Sequence, residues 1–395
     1  MIHVYETLQM RYGFTRRPPT VAGDSPLYSE QCMRTALGLS LLVLGVSFTV
    51  GCVEPSNWET IPNEVQGETT NSSVVKLDSG LVLVMGGRPH APGSEWNKTD
   101  SALYDPVKNE WKPTGEINEP RQLASAVKLP SGEVLLSGGQ SLSSGEILKS
   151  MELYDPVAGT WKTTSDLSRP RYKHQSTLLP SGKVLVTGGR TLIETPFGEH
   201  EADATTAELY DPATKQWRSA GNLRYPTLDT TVILLGSGEV MMLSDHGVDI
   251  YNPEANTWIQ QEDDSPFVAP PDHAATRLDS GEILVTGGSN GHSFNSTALY
   301  NPSMKMWFNG PPLNRGHWKH KTIPLTKSKA LVIGGFGGVE LYDPTNTKKP
   351  WTDLGEDPKQ HGKGNAILLS ENKVLLWGGL DERTDWTIFT IPESE

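Results

Sequence analysis

Cysteine is almost absent: Cys32 and Cys52 are the only two in 395 residues. That excludes a disulfide scaffold and a cysteine-rich zinc site. Long apolar runs are scarce as well. Residues 36–50 (ALGLSLLVLGVSFTV) form the one uncharged stretch of any length, too little for a polytopic membrane protein. Basic blocks are missing: 34 Lys and Arg stand against 47 Asp and Glu, for a net charge of −13. Phosphate neutralisation needs clustered cations, so a nucleic-acid partner is excluded. No GxSxG, HExxH, P-loop or dinucleotide fingerprint occurs, and no cofactor or metal is expected. What is abundant is Gly (39), Pro (29), Trp (11) and Tyr (11), a composition of many short strands and tight turns.

The apolar run follows Met33-Arg34 and ends at Gly51-Cys52. A basic start, an apolar core and a small residue before the cut describe an export signal at 33–51. Thr49-Val50-Gly51-Cys52 resembles a bacterial lipoprotein lipobox, with Thr49 where that family has Leu. The resemblance implies lipidation of Cys52, a short tether at 52–56 and a cell-envelope address. Val53 in place of Asp points to the outer membrane or cell surface. Residues 1–32 are polar and fit no export signal, which makes Met33 the expected translational start. A chain beginning at Cys52 has 30 basic and 44 acidic residues, because residues 1–51 hold four basic and three acidic ones.

From about residue 68 onwards the chain repeats. One copy reads HQSTLLPSGKVLVTGG, a variable stretch, then AELYDPATKQW. Glycine pairs close the first half at Gly86-Gly87, Gly138-Gly139, Gly188-Gly189, Gly287-Gly288, Gly334-Gly335 and Gly378-Gly379. A degenerate copy, TVILLGSGEVMMLSDHG, has no glycine pair and brings the count to seven. In the second half Trp follows Tyr by seven residues, as in Tyr104…Trp111 and Tyr251…Trp258; Tyr342…Trp351 is stretched to nine by Lys348-Lys349-Pro350. Each unit reads as four strands. Strand a (175–179) turns through Pro180-Ser181-Gly182 into strand b (183–187), Glu-Leu-Tyr forms strand c, and the Trp opens strand d. Such a sheet cannot cover both its faces alone, so neighbours stack radially.

The recurring Gly-Gly…Tyr…Trp pattern resembles the kelch family. The expected fold is therefore all-β, a seven-bladed kelch-type β-propeller over residues 57–395, with six blades the alternative if the degenerate unit is mis-parsed. The last unit lacks strand d, and Asn57-Trp58-Glu59-Thr60 reads like an orphan one, so closure by this N-terminal strand is expected. The resemblance also implies that Tyr and Trp pack between blades.

Strands alternate in direction, so the b–c and d–a loops share one face. The d–a loops carry Arg121, Arg171, His174, Arg224, His273, Arg315, His317 and His361 at repeat spacing. Two readings follow. Either these cations line the axis and bind a carboxylate-bearing ligand through guanidinium forks, or they serve the repeat itself by bonding loop carbonyls and neighbouring blades. The b–c loops at 88–101, with Trp96, and 190–206 vary in length, as specificity loops do. His200, Glu201 and Asp203 are weighed as metal ligands and set aside as solvated. The expected function is a monomeric binding module for a protein or acidic glycan. The alternative is a sugar-active isomerase resembling kelch-type sialic-acid mutarotases, for which Glu199, Glu201 and Asp272 are acid/base candidates by position. Galactose-oxidase-like copper chemistry is excluded, since its Cys–Tyr crosslink needs a cysteine beyond Cys52.

Overall fold

A computed structural model describes residues 57–61, 69–89, 101–196, 198–224, 230–260, 269–359, 361, 364–378 and 386–393. The expected signal, the Cys52 lipidation site and the tether lie outside the described residues, as do 90–100 of the first b–c loop. All that is described falls in one compact unit, Asn57–Glu395.

Among the described residues there are seven four-stranded sheets, each antiparallel with its strands in a-b-c-d order. The first three begin at Ser73–Lys76, Ser125–Lys128 and Gln175–Leu178. The next four begin at Thr231–Leu234, Ala274–Arg277, Lys321–Pro324 and Asn365–Ser370. The second blade is representative, continuing through Val134–Ser137 and Met151–Asp155 to Thr160–Thr163. Strand b is fully buried in blade after blade, as its unbroken apolar run requires. The a–b turn closes with the Gly182 N–H donating to the Leu179 carbonyl at 2.9 Å, and Gly182 holds a φ of +80°.

Seven apolar clusters form the core, each shared by two consecutive blades. One unites Val82, Val84 and Tyr104 of the first blade with Leu375, Trp377 and Ile388 of the seventh, which makes the succession circular. From the first blade to the seventh, the innermost strands of consecutive blades touch one another. Tyr and Trp face each other across strands c and d, and each Tyr enters the cluster shared with the preceding blade. Even Tyr342 and Trp351 keep this register, because the two extra residues are taken up in the turn between them.

The seventh blade ends at Thr387–Thr390 and receives Trp58–Thr60 as its outermost strand. Trp58 lies opposite Phe389, their rings 4.8 Å apart. The degenerate fourth unit is a complete four-stranded sheet among the described residues, as the seven-bladed reading requires. It lacks the glycine pair because Val240–Ser244 and Gly247–Asn252 meet in a tight hairpin through Asp245-His246, leaving no b–c excursion to launch. Elsewhere the first glycine of the pair lies under the next blade's corner. A Cβ on Gly138 would stand 2.3 Å from the Arg171 carbonyl oxygen and 2.9 Å from His174 Cε1.

Candidate functional site

The d–a corners are built alike. The residue before each corner's close takes a left-handed conformation, at Leu123, Lys173, Asp272 and Lys319, and turns the next side chain inward. Four residues ahead of strand a sits a polar group that reaches back to strand c of its own blade. In the second blade it is Arg121, buried, whose Nη2 donates to Glu152 Oε1 at 2.8 Å. Its Nη1 donates to the Gly138 and Ser150 carbonyls, and its Nε to that of Glu119. The second oxygen of Glu152 accepts from the backbone and side chain of Asn118. In the third blade Arg171 repeats this with Glu208 at 2.6 Å, Glu208 also accepting from the Ser168 N–H. In the sixth blade His317 takes the place of the arginine, its Nε2 3.0 Å from Glu340. Burial opposes charge on Glu340, but His317 and two bonds from Asn314 hold its carboxyl below the ordinary range. In the seventh, His361 meets Thr387 at 3.1 Å and Asp357 at 2.9 Å.

His174 is engaged in the same interior. Its Nε2 lies 2.9 Å from Ser137 Oγ, and burial, with the nearby Arg171 charge, pushes its pKa down to about 3. His320, which repeat spacing alone did not single out, is its counterpart, bonded to Thr286 at 2.8 Å and lowered chiefly by burial. Its signal was the match of Trp318-Lys319-His320 to Tyr172-Lys173-His174. His273 is half-buried, with Nδ1 2.9 Å from the Pro270 carbonyl, and burial lowers its pKa. Two of the predicted residues reach solvent. Arg224 is exposed, and its backbone N–H bonds Asp249, whose carboxyl is nevertheless raised by burial. Arg315 pairs across the surface with Asp353 at 2.7 Å and with Glu356. The corners therefore hold Arg121, Arg171, His174, His317 and His361 between strands, where they bond carbonyls, carboxylates and hydroxyls of the fold. Bonds of this kind are what the structural one of the two readings requires.

What the face does present comes from the next corner position, which pairs with the start of the b–c loop. Gln122 pairs with Gln140, Tyr172 with Arg190, and Trp318 with Phe336. The Tyr172 hydroxyl donates to Glu201 at 3.1 Å, and Arg190 lies 3.4 Å from Asp203. These acids stand on the third blade's added hairpin, Arg190–Thr195 with Gly198–Asp203. Strand alternation puts His200 on the other side of that hairpin from Glu201 and Asp203, so the three do not converge. Trp318 and Phe336 stack 4.7 Å apart at 10°, with Lys319 Nζ 4.1 Å from the Trp318 ring centre. Phe336 is 37% exposed.

No family model matches the chain. Human Kelch-like protein 6 is 28% identical over 101 residues, 25% of this chain and 16% of that one. Mouse Kelch-like protein 35 is 24% identical over 179 residues, 41% and 29% of the two. The chain thus spans less than a third of these relatives. A copper-bound fungal alcohol oxidase of the AA5 family superposes with a TM-score of 0.66 over 85% of this chain and 76% of its own, at 15% identity. The structure of YjhT superposes at 0.51 over 75% and 99%, at 16% identity. The fold is that of a kelch-repeat β-propeller. Among the described residues no three His, Cys, Asp or Glu side chains come together as a metal site.

Proposed function

We propose that this propeller is a binding module, exported and lipid-anchored at Cys52, that presents its d–a/b–c face to a protein or acidic glycan. The supporting observation is the platform of Trp318, Phe336 and Lys319. A flat aromatic pair beside an ammonium offers stacking to an apolar or sugar face and charge to a carboxylate. The buried corner side chains contribute by holding these residues in place, His317 being bonded to Glu340 and His320 to Thr286. The third-blade hairpin adds a second contact region of opposite sign. A solution glycan and protein-fragment panel against the purified chain tests the reading. Trp318→Ala should weaken any captured ligand at least tenfold without lowering the melting temperature; ligands that bind the variant equally well would overturn the assignment to this face. A second, enzymatic reading is favoured by one observation, the Tyr172–Glu201 hydrogen bond beside Arg190, a proton-transfer pair for a sugar isomerase. NMR exchange at a sugar anomeric carbon, lost in Glu201→Gln, is its test.

A further inference from the structure

On the opposite face, where the a–b and c–d turns emerge, grooves run between the third and fourth blades and between the fourth and fifth. The groove between the third and fourth blades, about 490 Å³, is lined by Lys183 and Arg218. The one between the fourth and fifth is larger, about 780 Å³, and its equivalent positions are Glu239 and Ile259. Across from them stand Glu282 and Trp307, and Lys305 lies on the c–d turn.

Two departures from the repeat coincide here. The first is charge. At the start of strand b, Glu133 pairs with Lys162 at 3.1 Å, Lys183 with Asp211 at 2.9 Å and Lys329 with Asp343 at 2.8 Å. The fourth and fifth blades place Glu239 and Glu282 there. Each accepts only from its own turn serine, Ser237 or Ser280, and neither has an ion-pair partner among the described residues. The second is apolar exposure on an outer strand. The residue after the blade's Trp is Lys112, Lys162 and Arg218 in the first three blades, the charge that edge strands carry against unwanted pairing. In the fourth and fifth it is Ile259, 54% exposed, and Phe308, 42% exposed, joined by Met306 at 54% and Met304 at 63%. The cation that would have neutralised the carboxylate has thus become an apolar side chain, twice in succession.

We propose that this groove binds an extended segment of a partner protein in which Lys or Arg alternates with apolar residues. The basic groups complement Glu239 and Glu282, the apolar ones cover Ile259 and Met306, and the open edge of Met306–Asn309 offers its backbone for strand addition. This site does not depend on the aromatic platform of the other face.

The test uses the full chain and a fluorescein-labelled nonapeptide alternating Lys and Val, with a Glu-for-Lys counterpart, read by fluorescence anisotropy. Saturable binding of the Lys peptide alone is expected. Glu239→Lys with Glu282→Lys should weaken it at least tenfold, and so should Ile259→Arg, which installs what the third blade has. Ile259→Ser is the milder companion, and equal melting temperatures certify the fold of each variant. Glu110→Lys, the same charge change on the first blade's outer strand, and Trp318→Ala should leave binding within twofold. Absence of saturable binding, or equal binding by the groove variants, overturns the proposal. So does a concentration-dependent dimer in sedimentation velocity that Ile259→Arg dissolves, which would assign the groove to a second copy of this chain.

Discussion

Replacing Arg171 with Met separates a structural corner from a ligand-binding one. The guanidinium is buried and donates to Glu208 at 2.6 Å, to the Thr206 hydroxyl and carbonyl, and to the Gly188 carbonyl. Methionine fills much of the volume but supplies no donor, leaving Glu208 with the Ser168 N–H as its remaining partner. Removing one member of such a buried pair costs about 3–5 kcal/mol, mostly the uncompensated charge left behind. At ~2.1 cal/mol/K of unfolding entropy per residue over the unit Asn57–Glu395, this lowers the melting temperature by about 4–7 °C. Urea titration with a common m-value gives the free energy, and differential scanning calorimetry gives the shift. Arg171→Met with Glu208→Leu leaves no unpaired charge and should recover part of the loss. Arg315→Met, which breaks a half-exposed surface pair, should cost less than about 1 kcal/mol. An Arg171→Met protein within about 1 kcal/mol of its parent would refute the argument and return Arg171 to the pool of residues available to a ligand.

Two further outcomes are expected. His174, with a folded pKa of about 3, is neutral in the fold and protonates freely only when unfolded. Its contribution is fully present above the unfolded value of about 6.5 and declines as pH falls below it, by about 2 kcal/mol at pH 5. His174→Gln should shrink the stability difference between pH 7 and pH 5 by that amount in urea titrations; parallel losses in parent and variant would contradict it. Trp351, 2% exposed and packed between the fifth and sixth blades, should cost about 3–5 kcal/mol as Trp351→Ala, read as a lower urea midpoint, and a midpoint unchanged within error would discredit the interblade packing.

The blades were legible because their signals are local. A turn is written in Pro180-Ser181-Gly182, a cross-strand pair in Tyr154 and Trp161, and the closing strand in the likeness of Trp58 to the other strand-d tryptophans. The corner cations were legible as a set but not in direction. Whether Arg121 faces the axis or its own blade depends on Glu152, thirty-one residues later in the chain. A trace of that dependence is present in the sequence. Blades with Arg121, Arg171 or His317 carry Glu152, Glu208 or Glu340 two residues before the Tyr, whereas the first and fifth blades have Ala102 and Ala298 there. Seen from one strand this is a chance glutamate; seen with its corner it is the counter-ion.

The clasp between Trp58–Thr60 and Thr387–Thr390 also sets an order of events in synthesis. Trp58 leaves the ribosome about 330 residues before Phe389, so the circle stays unlocked until Phe389 has been made, and joins segments of great sequence separation last. Any passage of the chain through a narrow pore during that interval would meet a row of half-finished sheets rather than a sealed wheel.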